Sequence, residues 1–152
     1  ELLIGPSYVD IRSANLSFSS KLIDGKYPDY DKVFPTGEPL PLEISKDTLQ
    51  SALSRASVLS NEKYRGVRFQ LSKNKLKLTA NNPEQESAEE ELDVVYTGSE
   101  LEVGFNIGYL LDVLNSIESD SIYFEFYGED SSCIIKEKGS EDDVYVIMPM
   151  RL

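Results

Sequence analysis

The sequence predicts an α+β fold in which one unit is used twice. Two observations carry this. Residues 40–97 and 99–152 each read strand, helix, then three strands, and repetition of a whole unit is an architectural signal. Each half also holds one amphipathic helix whose apolar stripe needs a sheet to cover it. The two helices are expected side by side on one face, with the sheet on the other. The chain has 152 residues, 40% apolar and 28% charged, enough for one buried domain or for one domain and a piece of another.

The opening residues Tyr-Val-Asp-Ile-Arg-Ser and Leu-Ser-Phe-Ser-Ser-Lys-Leu-Ile read as two strands joined by a turn at Ser13–Asn15. Two strands alone are marginal in water, so this stretch is expected to close an earlier domain. Glu1 stands where an initiator Met would, which points to a piece of a longer protein. Residues 24–39 carry three prolines and two glycines and read as a linker. The domain boundary is expected within it, as 1–30 and 31–152.

Leu40–Ile44 reads as a short strand and Asp47–Ser60 as a helix. Ser45 is the expected N-cap, and Asp47 suits the first turn. Leu49, Ala52, Leu53, Ala56 and Leu59 make its stripe, and Val58 lies off it. Strands follow at Gly66–Ser72, Lys75–Asn81 and Ala88–Tyr96. The second half repeats the order: a strand at Leu101–Phe105 and a helix at Asn106–Glu118, capped by Asn106. Its stripe is Ile107, Leu110, Leu111, Leu114 and Ile117. Strands then follow at Ser121–Tyr127, Ser132–Glu137 and Asp143–Met148. In the last of these, alternation puts Val144, Val146, Met148 and Met150 on one face and Tyr145 and Ile147 on the other. Both faces are apolar, so both are expected to be covered. Pro149 cannot donate to a ladder, so regular pairing should end there.

Fifteen basic against twenty-seven acidic side chains give a net charge of −12, the wrong sign for gripping nucleic acid through phosphates. The chain has no histidine and one cysteine, which excludes zinc-finger spacing and Cys–His or Ser–His catalysis. A single cysteine also excludes an internal disulfide and fits a reducing cytoplasm. Cys133, inside an alternating strand, reads as a small buried hydrophobe rather than a nucleophile. No run approaches the ~18 apolar residues of a membrane-spanning helix. The enzymatic alternative is an acidic Mg²⁺-dependent phosphoryl-transfer site built on Asp29 and Asp31 or on the acids of residues 84–93. No Gly-rich phosphate cradle accompanies them.

Five segments, Ser20–Tyr30, Leu59–Arg68, Asn81–Glu86, Gly104–Asn115 and Val146–Leu152, resemble the bacterial DNA polymerase III β subunit, the sliding clamp family, in family order from end to end. The resemblance implies a DNA-clamp fold, with a duplicated β-α-β-β-β unit and two helices on one face of curved antiparallel sheets. Residues 1–30 would be the closing strands of the middle domain and 31–152 the complete C-terminal domain. The function implied is that of a non-catalytic processivity factor, part of a ring that encircles duplex DNA without sequence preference. No cofactor or metal is implied. In such a ring retention is topological, so an acidic outer surface is no obstacle.

The resemblance also implies three sets of site residues. Pro28, Val33, Asn106, Tyr109, Val146, Met148, Pro149, Met150, Arg151 and Leu152 match a groove. DNA polymerase, clamp-loader subunits and other partners insert a short hydrophobic motif there. Parity agrees, since Val146, Met148 and Met150 share a strand face, and flexible thioethers suit varied partners. Val58, Leu59, Tyr64, Glu84 and Glu86 match the surface that joins two subunits head to tail. This fragment lacks the first domain across that boundary and is expected to be monomeric. Arg55, Lys63, Arg65 and Arg68 are weak candidates to face DNA, and the second helix adds no basic residue.

Overall fold

The computed structural model describes residues 1–139 and 143–151. The chain divides into two compact units, Glu1–Tyr30 and Asp31–Leu152. In the first, strands β1 (Leu2–Ile4), β2 (Tyr8–Ser13) and β3 (Leu16–Lys21) form an antiparallel meander. The three-residue β1, too short to be read from sequence, pairs Leu2 with Ile11 and Ile4 with Val9. Leu2, Ile4, Leu16 and Phe18 are all at least half exposed, so this sheet has no core of its own. A 3₁₀ turn at Tyr30–Val33 lies within the stretch expected as linker.

The second unit runs β4 (Leu40–Ser45), α1 (Lys46–Val58), β5 (Gly66–Ser72), β6 (Lys75–Asn81), β7 (Ser87–Asp93) and β8 (Val95–Tyr96). Its second half is β9 (Leu101–Asn106), α2 (Ile107–Ser116), β10 (Ser121–Phe126), β11 (Cys133–Glu137) and β12 (Val144–Ile147). These strands make two antiparallel sheets, β12-β11-β10-β4-β8 and β7-β6-β5-β9. The first strand of each repeat therefore belongs to the other repeat's sheet: β4 pairs with β10, and β9 with β5.

The exchange is in equivalent register. Ser45, the N-cap of α1, lies opposite Ser121, the first residue of β10; Asn106, the N-cap of α2, lies opposite Gly66, the first residue of β5. The first helical N–H in each repeat has no partner inside its helix. Lys46 N donates to Asp120 O (2.9 Å), and Ile107 N donates to Arg65 O (2.8 Å), each acceptor just ahead of the other repeat's strand, β10 or β5, on which the lent strand pairs.

Strand β5 reads half-buried, buried in strict alternation, with Val67, Phe69 and Leu71 inward. Strand β10 does the same with Ile122, Phe124 and Phe126. Between the sheets four rings close a circuit. Phe69 meets Phe105 edge-on at 5.2 Å, Phe105 meets Phe126 at 6.3 Å, Phe126 stacks on Phe124 at 5.7 Å, and Phe124 returns to Phe69 at 6.3 Å. Helix α1 packs on β4, β6 and β7, α2 on β9 and β12, and the helices on each other. Lys46 Nζ donates to Ile117 O (3.0 Å), placing a cation at the C-terminal end of α2, and Gln50 Nε2 donates to Asn115 Oδ1 (2.7 Å).

Several expectations shift. The strand expected over Ala88–Tyr96 is two strands in two sheets, broken at Val94. Asn74, in the left-handed conformation (φ 59°), inserts its turn there. Val94 N donates to Asn74 O (3.2 Å), and Asn74 N donates to Tyr96 O (3.0 Å). Helix α1 ends before Ser60 because Leu59 N and Ser60 N reach back only three residues, to Ala56 O and Ser57 O, which tightens the last turn. Helix α2 stops before Glu118, since Ile117 is already extended (φ −85°, ψ 133°). Part of the turn expected ahead of the last strand, at residues 140–142, lies outside the described residues.

Two outcomes follow for stability. Phe105→Ala should destabilise the fold by about 3–5 kcal/mol, read from urea unfolding, because a fully buried ring of the circuit leaves a cavity. Burial also pushes the Cys133 thiol up, so it stays protonated when folded, whereas an unfolded thiol ionises near about 8.5. Its contribution is therefore whole below that pH and lost as pH rises above it. The urea midpoint should fall between about pH 7 and about pH 9.5, and fall less in Cys133→Ala.

Candidate functional site

Strand β12 is an edge strand, pairing Ile147 with Cys133 and Val146 with Ile134 on β11. Alternation then divides its side chains. Ile147 is buried and Tyr145 packs against the core, while Val144 and Met148 are exposed and Val146 is half-buried. Contrary to the expectation that both faces are covered, the Val144, Val146 and Met148 face is open within this chain, and Met148 is 61% exposed. Continuing the register places Ser132 opposite Met148, and Ser132 Oγ donates to its Sδ at 2.9 Å. Ser132 was missed from sequence; the β11–β12 register is the signal that finds it.

Pairing with β11 ends at Ile147, just ahead of Pro149. Past the proline the chain crosses to the other sheet, where Met150 N donates to Gly104 O on β9 (2.9 Å). Two residues along β9, Asn106 works in two directions. Its Oδ1 accepts from Gly108 N (2.8 Å) and Tyr109 N (3.4 Å), starting α2, while its Nδ2 donates to Tyr64 O (3.2 Å). Tyr109, in the first turn of α2, is 63% exposed. So Asn106, Tyr109, Met150 and Tyr64 are gathered where β9 ends and α2 begins, and α2 also packs against β12. Val33 sits half-exposed at the end of the 3₁₀ turn, and Pro28 belongs to the first unit. Leu152 lies outside the described residues.

Val58 and Leu59 end α1. Val58 is 78% exposed, as its place off the stripe requires, and Leu59 is half-buried. Val58 and Glu84 share a depression of ≈400 Å³ with Lys63, Asn82 and Pro83. Glu86 closes that loop: Asn82 Nδ2 donates to its Oε2 (2.7 Å), and its own N donates to Asn82 Oδ1 (2.9 Å). Tyr64 parts from this group. It lines a different pocket, of ≈340 Å³, with Arg68, Met150 and Arg151.

The basic candidates are mostly engaged. Arg55 donates both Nε and Nη2 to Glu90 (2.6 and 3.0 Å), which holds the guanidinium pKa up and the Glu90 carboxyl below its ordinary range. Lys63 lies 5.2 Å over the Tyr64 ring. Arg68 pairs with Glu102 (2.8 Å). Arg65 adopts the left-handed conformation (φ 48°), and its N donates to Asn61 O (2.7 Å) while its O holds the start of α2.

The acids of β7 are drawn apart by the same pairing. Glu89 meets Lys77 (3.0 Å), Glu90 meets Arg55, and Glu91 and Asp93 share Lys75 (2.8 and 2.9 Å). Among the described residues no group of three or more His, Cys, Asp or Glu is placed to hold a metal ion, and no helix is long and apolar enough to cross a membrane.

Residues 31–151 match the family model described as DNA polymerase III beta subunit, C-terminal domain. The chain is 46% identical over 151 residues to the beta sliding clamp of Pseudomonas putida, covering 99% of this chain and 41% of that protein. It is 48% identical over 149 residues to the beta sliding clamp of Escherichia coli K12, covering 98% and 41%. A crystal structure of the DNA polymerase sliding clamp from Pseudomonas aeruginosa superposes with a TM-score of 0.92 at 46% identity, over 99% of this chain and 41% of that one. The chain thus spans about 41% of the length of these relatives.

Asn106→Ala should cost about 1 kcal/mol through loss of the helix cap. It should also change the amide environments of Tyr64 and Tyr109 together, which chemical-shift mapping of the variant would read.

Proposed function

The chain belongs to the DNA polymerase III beta subunit family, which it matches through that subunit's C-terminal domain, and on this premise we propose that it is part of a processivity ring. The ring encircles duplex DNA and docks partner proteins on its C-terminal strand. Residues 1–30 are then the closing strands of the middle domain and 31–152 the C-terminal domain, and the chain acts as a non-catalytic accessory to the polymerase in the cytoplasm. The partners are DNA polymerase, clamp-loader subunits and other proteins that carry a short hydrophobic motif.

The observation that carries the docking role is the open apolar face of β12. Met148, the residue that follows β12, and Tyr109, in the first turn of α2, are each more than 60% exposed, although Ile147 beside the one and Leu110 beside the other are buried. Exposed large apolar side chains grouped at one place mark an interaction surface. Val146, Met148 and Met150 form the adaptable floor, Tyr109 and Asn106 one end, and Pro149 and Arg151 the rim. Pro28, Val33 and Leu152 complete the set by resemblance.

The charge supports retention by topology rather than by affinity. At a net charge of −12, sustained phosphate contact would be opposed by the protein's own field. Helix α2 has no basic residue, and the one arginine of α1, Arg55, is tied to Glu90. Arg55, Lys63, Arg65 and Arg68 therefore add only weak DNA contact, which suits sliding. Val58, Leu59, Glu84 and Glu86 form this domain's half of a heterologous subunit contact, with Tyr64 beside it. The other half belongs to a first domain, so this chain by itself is monomeric.

A fluorescent peptide carrying a short hydrophobic clamp-binding motif should bind this chain saturably but more weakly than it binds a full-length clamp. Met148→Ala or Tyr109→Ala should weaken it about tenfold, equivalent to ~1.4 kcal/mol. Affinity equal to the full-length clamp would contradict the expected weakening, and no binding at all would remove the docking role. Sedimentation should give a monomer; a stable dimer abolished by Val58→Glu would overturn that assignment.

A further inference from the structure

Two methionines and one cysteine carry all the sulfur of the chain, and they stand in different surroundings. Cys133 is 1% exposed, and burial keeps its thiol protonated. Met150 is half-buried, with its N held by Gly104 O. Met148 stands open at 61% exposure. The group that faces its sulfur comes from the interior: Ser132 is only 7% exposed, and its hydroxyl donates to Met148 Sδ at 2.9 Å. A thioether is a weak acceptor. A buried donor is thus matched to a poor partner, where an unmatched donor is costly.

We infer that Met148 is a site of reversible oxidation by peroxides, with Ser132 as the residue that positions its sulfur and holds the oxidised form. The oxidation stands on the Ser132 contact and on exposure. Only its effect on partners rests on the docking role above.

The chemistry balances with hydrogen peroxide as oxidant. A lone pair of Met148 Sδ attacks one peroxide oxygen, and the S–O bond forms as the O–O bond breaks. The departing hydroxide takes the proton of the attacked oxygen and leaves as water. Sulfur gives up two electrons and the peroxide accepts them. A dithiol reductase reverses the change, the oxygen leaving as water while two thiols close to a disulfide.

Ser132 gives this reaction a hand. Sδ has two lone pairs, and attack through one or the other yields opposite sulfoxide epimers. The lone pair toward Ser132 is engaged by the hydroxyl, so peroxide meets the one toward solvent, and one epimer forms in excess. Rotation about the Cγ–Sδ bond then brings the new oxygen, a far stronger acceptor, to the Ser132 hydroxyl. The side chain becomes polar and fixed on the face it shares with Val144 and Val146, losing the adaptability of a thioether.

The test treats this chain with dilute hydrogen peroxide and follows each methionine by tandem mass spectrometry. Met148 should oxidise about fivefold faster than Met150 in the folded chain, and at the same rate in urea. Of the two reductases specific for opposite epimers, one should repair most of the Met148 sulfoxide in the wild type. In Ser132→Ala each should repair about half of it. Oxidation should lower the urea midpoint less in the wild type than in Ser132→Ala, a measurement that also shows the variant to be folded. Equal rates for the two methionines in the folded chain, or an epimer excess that survives Ser132→Ala, overturns the inference.

A methionine-free peptide carrying the hydrophobic motif should bind the oxidised chain about tenfold more weakly than the reduced one, with recovery after reductase treatment. Met148→Leu should lose this response to peroxide. If the peptide binds the reduced and oxidised chains alike, the docking role stands and its control by oxidation falls. If the peptide does not bind the reduced chain while the rate difference and epimer excess hold, the docking role falls and the oxidation site stands.

Discussion

Two hydrogen bonds, Lys46 N to Asp120 O and Ile107 N to Arg65 O, tie each helix start to the strand of the other repeat that receives the lent one. Helix starts are where backbone donors lack partners. Here the shortage is met by exchange, and the register of both sheets follows from it. With Ser45 opposite Ser121 and Asn106 opposite Gly66, each inward position on β4 and β9 is fixed against its neighbour. A slip by one residue would turn Leu42 and Phe105 to solvent. The phenylalanine circuit is the interior result, since Phe105 comes from β9, Phe69 from β5 and the remaining two from β10.

The same seam positions the outward chemistry. Asn106 starts α2, holds Tyr64 and presents Tyr109, so a residue whose first duty is structural also arranges the candidate docking surface. The tail is placed by the two sheets in turn, through Ile147 on one and Met150 on the other. Because Pro149 divides those pairings, the face bearing Met148 is neither laddered further nor covered by the core.

Much of this was legible in the sequence because it follows from periodicity. The β5 and β6 bounds, both N-caps, the helical stripes and the exposure of Val58 all come from spacing and side-chain chemistry. What was not legible depends on pairing at a distance. Nothing local marks Val94 as the point where a chain rich in β-formers leaves one sheet for another; the left-handed Asn74, some twenty residues earlier, causes it. The separation of Tyr64 from Val58 is likewise tertiary, since six residues of sequence carry the chain from the end of α1 to the Met150 side. The parity of the tail was readable, but whether its second face is covered was not, because coverage is decided by what lies beyond the strand.

Strand exchange also sets the order in which the second unit can be assembled during synthesis. Leu42 has one ladder neighbour, Tyr96, within its own repeat and waits for the other, Phe124, some eighty residues downstream. Until β10 has left the ribosome, β4 has only the short β8 beside it and α1 no closed core. The emerging first repeat is therefore held as a sheet of β5, β6 and β7 and a short β4–β8 pair that lacks its other neighbour, and loop closure over such separations is slow. Folding of the second unit is consequently completed only in the final stage of translation, when β10 emerges to take up β4.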